Sequence, residues 1–206
     1  MESPEPGTAL VEPRDALPST ARVVVAGRLV PEKGIDILVR AFARLAPRHG
    51  QSNLVVIGDG PERANLQRLA HGLGVGERVT FTGKLSPEET LASFRSAWVV
   101  CVPSLWEEPF GMIAAEAQMH GVAVVASRCG GLAEIVADGE TGYLVPPGAP
   151  DPLVSRLDRL LSDRGHAHEL GLRGHARAMA LFDLHGFAGR MEEVYGEAIA
   201  ARAPRP

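Results

Sequence analysis

Six short apolar runs divide the chain, and most of them are continuous rather than alternating in polarity. β-Branched residues dominate the runs, which is typical of strands that are covered on both faces. The pattern therefore predicts six buried β-strands, at Arg22–Ala26, Leu54–Ile57, Val79–Thr82, Trp98–Val102, Val122–Ala126 and Gly142–Val145.

Helical patterns fill the intervals between these runs. Apolar residues repeat on one helical face within Ile35–Leu45 and within Leu66–Leu73, and Ser86 followed by proline and glutamate marks a helix start. Strand–helix alternation at this spacing predicts an α/β fold: a Rossmann-like, doubly wound parallel sheet of about six strands with helices on both faces. Further helices are expected after residue 150, beginning at Asp151.

Composition and pattern suggest three segments. Residues 1–20 carry four prolines and no periodicity, so we expect a flexible lead-in. Residues 21–163 hold the strand–helix alternation and form the predicted sheet domain. Residues 164–206 are expected to form a C-terminal helical extension that ends in a flexible tail.

Right-handed crossovers place the loops after each strand along one edge of the sheet, where ligands bind in this class of fold. After the first strand, Gly27 leads into a turn bracketed by Arg28 and Lys33. A planar guanidinium and a compact ammonium suit a diphosphate, although taken alone the two are more simply surface cations. After the third strand, Gly83 and Lys84 form a loop whose glycine either admits a flat ligand or merely ends the strand.

The loop after the fourth strand concentrates the candidate chemistry. Glu108 precedes a predicted helix, and Phe110, Gly111 and Met112 are expected to offer free backbone N–H groups at its start. Such a helix N-terminus binds anions, and the glycine removes a Cβ that would hold a phosphate away. Glu116 lies one to two turns along the same helix.

Two carboxylates beside an anion site suit a ligand that also carries hydroxyls. Sugar and ribose hydroxyls donate hydrogen bonds, and a carboxylate accepts two of them at once. We therefore expect the anion at the cations and N–H groups, and the hydroxyls at Glu108 and Glu116. The alternative for Glu116 is a solvated helix residue, which its apolar neighbours Ala114, Ala115 and Ala117 disfavour.

Charge and composition narrow the function classes. The formal net charge is −4, which argues against nucleic-acid binding through a basic face. The basic residues are 19 arginines and two lysines, and both lysines, Lys33 and Lys84, fall in the candidate loops, although genome composition and chance would also explain this. The cysteines and histidines lack metal-ligand spacing, so we expect no metal site and a reduced, cytoplasmic location.

Targeting and membrane signals are also missing from the pattern. The N-terminus has acids and prolines where a signal peptide has a basic start and an apolar run. No stretch approaches the roughly 20 apolar residues of a membrane span. We expect no transmembrane segment, and peripheral association with a membrane is left open.

Seven motifs run through the loops in order: Gly27-Arg28-x4-Lys33-Gly34, Gly58-Asp59-Gly60-Pro61, Phe81-Thr82-Gly83, Pro103-Ser104-x3-Glu108-Pro109-Phe110-Gly111-x4-Glu116, Val124-Val125-Ala126-Ser127, Gly130-Gly131-x2-Glu134-Ile135-Val136 and Asp138-Gly139-x2-Thr141-Gly142-Tyr143-Leu144-Val145-Pro146. The series resembles the C-terminal, donor-binding domain of the retaining GT-B glycosyltransferases of family 4, over residues 21–163. The Glu-x7-Glu element combined with Arg-x4-Lys is specific, whereas either alone would be weak.

The resemblance implies a donor domain for a UDP-, GDP- or ADP-sugar, with no cofactor and no metal. It assigns Arg28 and Lys33 to the diphosphate, where they stabilise the leaving group. It assigns Glu108 to sugar hydroxyls and Glu116 to the ribose. The catalytic residues that it implies are Arg28, Lys33 and Glu108.

The resemblance also implies roles for backbone groups and for the stereochemistry. Backbone at Phe110, Gly111 and Met112 would meet the phosphate or the sugar, and the loop of Gly83 and Lys84 would border the base. The family transfers its sugar with net retention of configuration. One candidate route is front-face attack, in which the leaving phosphate takes the acceptor's proton.

GT-B enzymes have two Rossmann-like domains, and the first binds the acceptor. Residues 1–20 alone precede the predicted domain, so we expect the acceptor half to be absent, as in a fragment or a subunit of a split enzyme, and the chain to be inactive alone. A non-catalytic module that binds sugar nucleotides would share the same site residues. A GT-B epimerase or a phosphorylase-like protein is a weaker alternative, and the phosphorylase is disfavoured because it needs a pyridoxal lysine and only Lys33 and Lys84 are available.

Overall fold

The computed structural model describes residues 16–182, residue 189, and residues 191–195 and 197–199. The strands within these residues form one six-stranded sheet: β1 (Arg22–Ala26), β2 (Asn53–Ile57), β3 (Val79–Gly83), β4 (Val99–Val102), β5 (Ala123–Ser127) and β6 (Gly142–Val145). Every pair of neighbouring strands is parallel. The predicted fold class is confirmed.

The strand order is β3-β2-β1-β4-β5-β6. Val24 of β1 pairs with Val55 of β2 on one side and with Val100 of β4 on the other. The direction of winding reverses between β1 and β4, so the loops that follow these two strands lead to opposite faces of the sheet. A crevice opens between such loops beyond the carboxyl ends of the strands.

Helices cover both faces of the sheet. Within residues 16–182 the α-helices are α1 (Ile35–Leu45), α2 (Arg63–Gly72), α3 (Pro87–Arg95), α4 (Met112–Met119), α5 (Leu132–Ile135), α6 (Pro150–Ser162) and α7 (Arg164–Leu181). One core lies under α1, α2 and α6, where Leu38, Phe42 and Leu157 are fully buried. The other core lies under α3, α4 and α5, around Phe94 and Leu132.

Local signals fix most element boundaries. At the start of α3, the Ser86 hydroxyl accepts from the Glu89 N–H at 3.2 Å and the Glu89 carboxylate accepts from the Ser86 N–H at 2.8 Å, which is a reciprocal capping box. The helix predicted to begin at Asp151 begins one residue earlier, and β5 runs one residue beyond the predicted run. The stripe predicted for α2 ends early, because the helix stops at Gly72 and Leu73 is 40% exposed.

The packed chain extends beyond both boundaries that composition suggested. Residues 1–15 of the segment predicted to be flexible lie outside the described residues, whereas Leu17 is buried in the core. The Pro18 carbonyl accepts from the Trp98 indole N–H at 2.8 Å. At the other boundary, α7 buries Ala167 and Leu170 in the same core as α6. The predicted tail at residues 201–206 lies outside the described residues.

Candidate functional site

A cleft of about 450 Å³ opens at the carboxyl ends of β1 and β4, where the winding reverses. Two of the ten predicted site residues, Gly83 and Lys84, lie outside it. The other eight line it: Gly27, Arg28, Lys33, Glu108, Phe110, Gly111, Met112 and Glu116.

A close backbone approach carries the loop after β1 to the loop after β4. The 3-10 turn Pro31–Lys33 ends at Gly34, whose φ is 61°. A Cβ at this position would lie 2.1 Å from the carbonyl oxygen of Pro103. Only glycine therefore allows the approach, which brings Lys33 to the second loop.

Lys33 and Glu108 form an ion pair in the cleft. The Lys33 Nζ lies 2.5 Å from Oε1 of Glu108, and the same oxygen accepts from the Ser104 hydroxyl at 2.5 Å. Glu108 is 9% exposed, so its charge needs these donors. The sequence assigned Lys33 and Glu108 to different parts of a ligand, whereas the structure places them in direct contact. Behind them, burial raises the pKa of the Cys129 thiol.

Arg28 is the second cation of the cleft. Its side chain is exposed, and it has no hydrogen bond or ion pair with any of the described residues. All its guanidinium donors are therefore available to an anion that enters the cleft.

The N-terminus of α4 forms the wall opposite these cations. Gly111 caps the helix with a φ of 98°, and a Cβ there would lie 2.7 Å from a methyl carbon of Leu132 on α5. The N–H groups of Met112 and Ile113 have no backbone acceptor among the described residues. Free donors and the helix dipole make this end of α4 favourable for an anion.

Glu116 and two apolar side chains complete the cleft. Glu116 is half-buried on α4, and burial raises the pKa of its carboxyl. Phe110 and Met112 are 49% and 64% exposed. The Phe110 ring meets Phe182 edge-on, with 5.5 Å between ring centroids. The rim of the cleft is thus apolar while its interior is charged.

Lys84 lines an adjoining cavity of about 670 Å³, whereas Gly83 lines neither this cavity nor the cleft. Arg28 and Ile113 line both spaces, so the two lie side by side. The Gly58 N–H donates to the Gly83 carbonyl at 2.8 Å, which ties the loops after β2 and β3 together. A ligand that met both Lys33 and Lys84 would span the two cavities.

Two residues that build the site were not singled out from the sequence. Ser104 donates to Glu108, and Gly130, with a φ of 49°, lies so close that a Cβ would be 2.1 Å from the Glu108 carbonyl oxygen. The Gly131 N–H donates to the same oxygen at 2.8 Å. Both residues belong to the loop motifs of the sequence, and this membership could have marked them as site residues. The spacing of a motif does not show which side chains its residues contact.

A larger cavity, of about 770 Å³, lies between α1 and α2 and contains none of the predicted site residues.

Among the described residues, no group of three or more His, Cys, Asp and Glu side chains could hold a metal ion. In that same part of the chain, no helix combines the length and apolar character that crossing a membrane requires.

An all-parallel sheet of this order, with a charged crevice at its switch point, defines the Rossmann-like class that binds nucleotides at that edge. Residues 14–177 match the family of glycosyl transferases group 1, so the chain belongs to this family. It is 40% identical over 182 residues to the D-inositol 3-phosphate glycosyltransferase of Nocardia farcinica, a match that covers 85% of this chain and 40% of that protein.

Solved structures of GT-B glycosyltransferases share the fold. Sucrose-phosphate synthase from Thermosynechococcus elongatus superposes with a TM-score of 0.78 at 37% identity, over 90% of this chain and 47% of that one. HepE from Anabaena, solved with UDP-glucose, gives a TM-score of 0.78 at 27% identity, over 87% of this chain and 49% of that one. The chain spans less than half the length of each of these three proteins.

Proposed function

We propose that this chain is the donor-binding part of a retaining glycosyltransferase and holds a nucleotide-diphosphate sugar in the cleft. The observation that carries the proposal is the convergence of two cations, a free helix N-terminus and two carboxylates, at Arg28, Lys33, α4, Glu108 and Glu116. Cations and N–H groups neutralise a diphosphate. Carboxylates accept the hydroxyls of the sugar and the ribose.

The chemistry of transfer fits these groups. When the bond between the anomeric carbon and the diphosphate oxygen breaks, negative charge builds on the diphosphate and positive character on the sugar. Arg28, Lys33 and the α4 N–H groups stabilise the leaving group, and Glu108 orients the sugar. The acceptor oxygen bonds to the same carbon, and its proton passes to the departing phosphate. Attack from the face that the phosphate leaves gives retention.

The relatives favour the same donor class. One solved relative is described with UDP-glucose in its complex, and UDP-, GDP- and ADP-sugars are all candidates for this chain. More than half of each compared protein lies outside the matched region. We assign acceptor binding to a domain or subunit that corresponds to that part.

The donor proposal is tested by calorimetric titration of the chain with UDP, GDP and ADP and with UDP-glucose, GDP-mannose and ADP-glucose. We expect one pair to bind, and Lys33→Ala to weaken it at least about tenfold, because the phosphates lose a charged donor. Lys84→Ala is the matched control, since Lys84 is the only other lysine. In a parallel titration with pyrophosphate, which carries no base for the Lys84 loop, Lys33→Ala should weaken binding and Lys84→Ala should leave it unchanged.

Two outcomes would count against this proposal. No binding by any nucleotide would contradict the donor site as a whole. Binding that is unchanged in Lys33→Ala would remove Lys33 from the site and leave the other groups to be tested.

A further inference from the structure

The two carboxylate oxygens of Glu108 have different surroundings. Oε1 accepts from both the Lys33 ammonium and the Ser104 hydroxyl, each at 2.5 Å. Oε2 has no donor among the described residues. The Glu108 side chain is 11% exposed and lines the cleft. One oxygen is therefore anchored by the protein, and the other is left for a ligand.

Ser104 lines the cleft and holds the Glu108 carboxylate from a buried position. It is the second residue after β4 and is 1% exposed. Its backbone is fixed from two sides, because Gly34 packs against the preceding Pro103 carbonyl and the Cys129 thiol lies 3.7 Å from the Ser104 carbonyl. From this backbone the buried hydroxyl is directed at Glu108, to which it donates.

Lys33 cannot supply the same constraint once a diphosphate is bound. Its ammonium ends a flexible four-carbon stem, the side chain is 31% exposed, and the phosphates of a ligand would compete for its donors. Ser104 also lines the cleft, but it is only 1% exposed, so a bound phosphate competes less for its hydroxyl than for the Lys33 ammonium.

We propose that Ser104 is a positioning residue whose hydroxyl fixes Glu108 so that Oε2 accepts a hydroxyl of the donor sugar. The inference rests on the proposed function. Its consequence is selective: Ser104 contributes to the affinity for a nucleotide sugar, but not to the affinity for the bare nucleoside diphosphate, which has no sugar for Glu108 to bind.

The test compares three ligand pairs, UDP with UDP-glucose, GDP with GDP-mannose and ADP with ADP-glucose, by calorimetry on the full chain. In Ser104→Ala we expect the affinity for the nucleotide sugar to fall about tenfold, as for a lost hydrogen bond to a charged group, with that for the nucleoside diphosphate changing less than about twofold. Ser52→Ala is the matched control. Ser52 is 3% exposed and bonds the His49 carbonyl at 2.8 Å, before β2 at the far edge of the sheet.

Retained nucleoside diphosphate binding also shows that Ser104→Ala has folded. Ser104→Cys replaces the hydroxyl by a thiol, which is a weaker donor. The affinity for the nucleotide sugar should therefore fall selectively again, but by less than in Ser104→Ala. Equal losses for both members of a pair, or no loss for either, would overturn the proposal. If the unmodified chain binds none of the three pairs, the proposed function itself fails, which is a distinct result.

Discussion

The amino edge of the sheet, where the parallel strands begin, and the carboxyl edge, where they end, use arginine in opposite ways. At the amino edge, the Arg78 guanidinium donates to the backbone carbonyls of Ala46, His49 and Ser52, at distances of 2.5–2.9 Å. At the carboxyl edge, the Arg28 guanidinium has no hydrogen-bond or ion-pair partner among the described residues. One guanidinium is bonded to the protein's own carbonyls, whereas the other has donors that none of the described residues uses.

The difference shows that residue type alone does not separate a structural cation from a ligand-binding one. Hydrogen-bond partners do separate them. The Arg78 guanidinium donates to carbonyls of the segment after α1, whereas the Arg28 guanidinium has no such acceptor among the described residues. Stability and binding are therefore expected to respond to different substitutions.

The largest expected effect is the difference in stability between two arginine substitutions, one at each edge. Arg78→Ala should lower the free energy of unfolding by about 3 kcal/mol, because the carbonyls of Ala46 and Ser52 lose the guanidinium that donates to them and the carbonyl of His49 loses one of its donors. Urea-induced unfolding measures this. Arg28→Ala makes the same change at the other edge and should alter stability by less than about 0.5 kcal/mol, while weakening pyrophosphate binding. Similar stability losses in the two variants would abolish the contrast.

A second comparison uses glycines. Gly111→Ala should lower the free energy of unfolding by about 2 kcal/mol, because the residue has a φ of 98° and its new Cβ would meet Leu132. Gly50, before β2, has no atom within 4 Å of an added Cβ, so Gly50→Ala should change stability by less than about 1 kcal/mol. Thermal unfolding of the two variants measures the difference in stability. If Gly50→Ala loses more stability than Gly111→Ala, the start of α4 tolerates the added Cβ and the prediction is wrong.

The smallest expected effect concerns Glu116. Burial raises the pKa of its carboxyl in the folded chain, so between the unfolded and folded pKa values the folded chain binds more protons. Stability therefore falls as pH rises through that window. Glu116→Gln should raise the free energy of unfolding at neutral pH by a few tenths of a kcal/mol, a small amount because the group is partly solvated.

The same variant should weaken binding of a nucleoside diphosphate more than binding of pyrophosphate, because only the former carries a ribose. Calorimetry with both ligands and urea unfolding at neutral pH measure the two effects. Glu140→Gln, at an exposed turn residue, is the control and should change neither. Reduced stability of Glu116→Gln at neutral pH, or equal losses for both ligands, would contradict the role given to Glu116.

Local patterns were sufficient to predict most of the fold. Continuous β-branched runs indicate buried strands, and Ser86 marks the start of α3 through contacts within one turn. The errors fall where tertiary packing decides. Periodicity continues through Leu73 although the helix has ended, and a proline-rich start gave no sign that Pro18 is bonded to Trp98, 80 residues away.

The candidate site was predictable as a set of loops but not as a set of contacts. Because the carboxyl ends of parallel strands share one edge, the motif residues after β1 and β4 could be assigned to one cleft. The pairing of Lys33 with Glu108 joins residues 75 positions apart, and the bond from Ser104 depends on side-chain orientation. Neither follows from spacing.

The two tryptophans of the chain give each edge its own spectroscopic signal. Trp98 is 7% exposed, with its indole bonded to Pro18 near the amino edge, whereas Trp106 is 54% exposed two residues before Glu108. Emission from Trp98 should shift to the red only when the core opens, while acrylamide should quench the exposed Trp106 already in the native chain. One unlabelled sample can thus separate opening of the core from the exposure that the native chain already has.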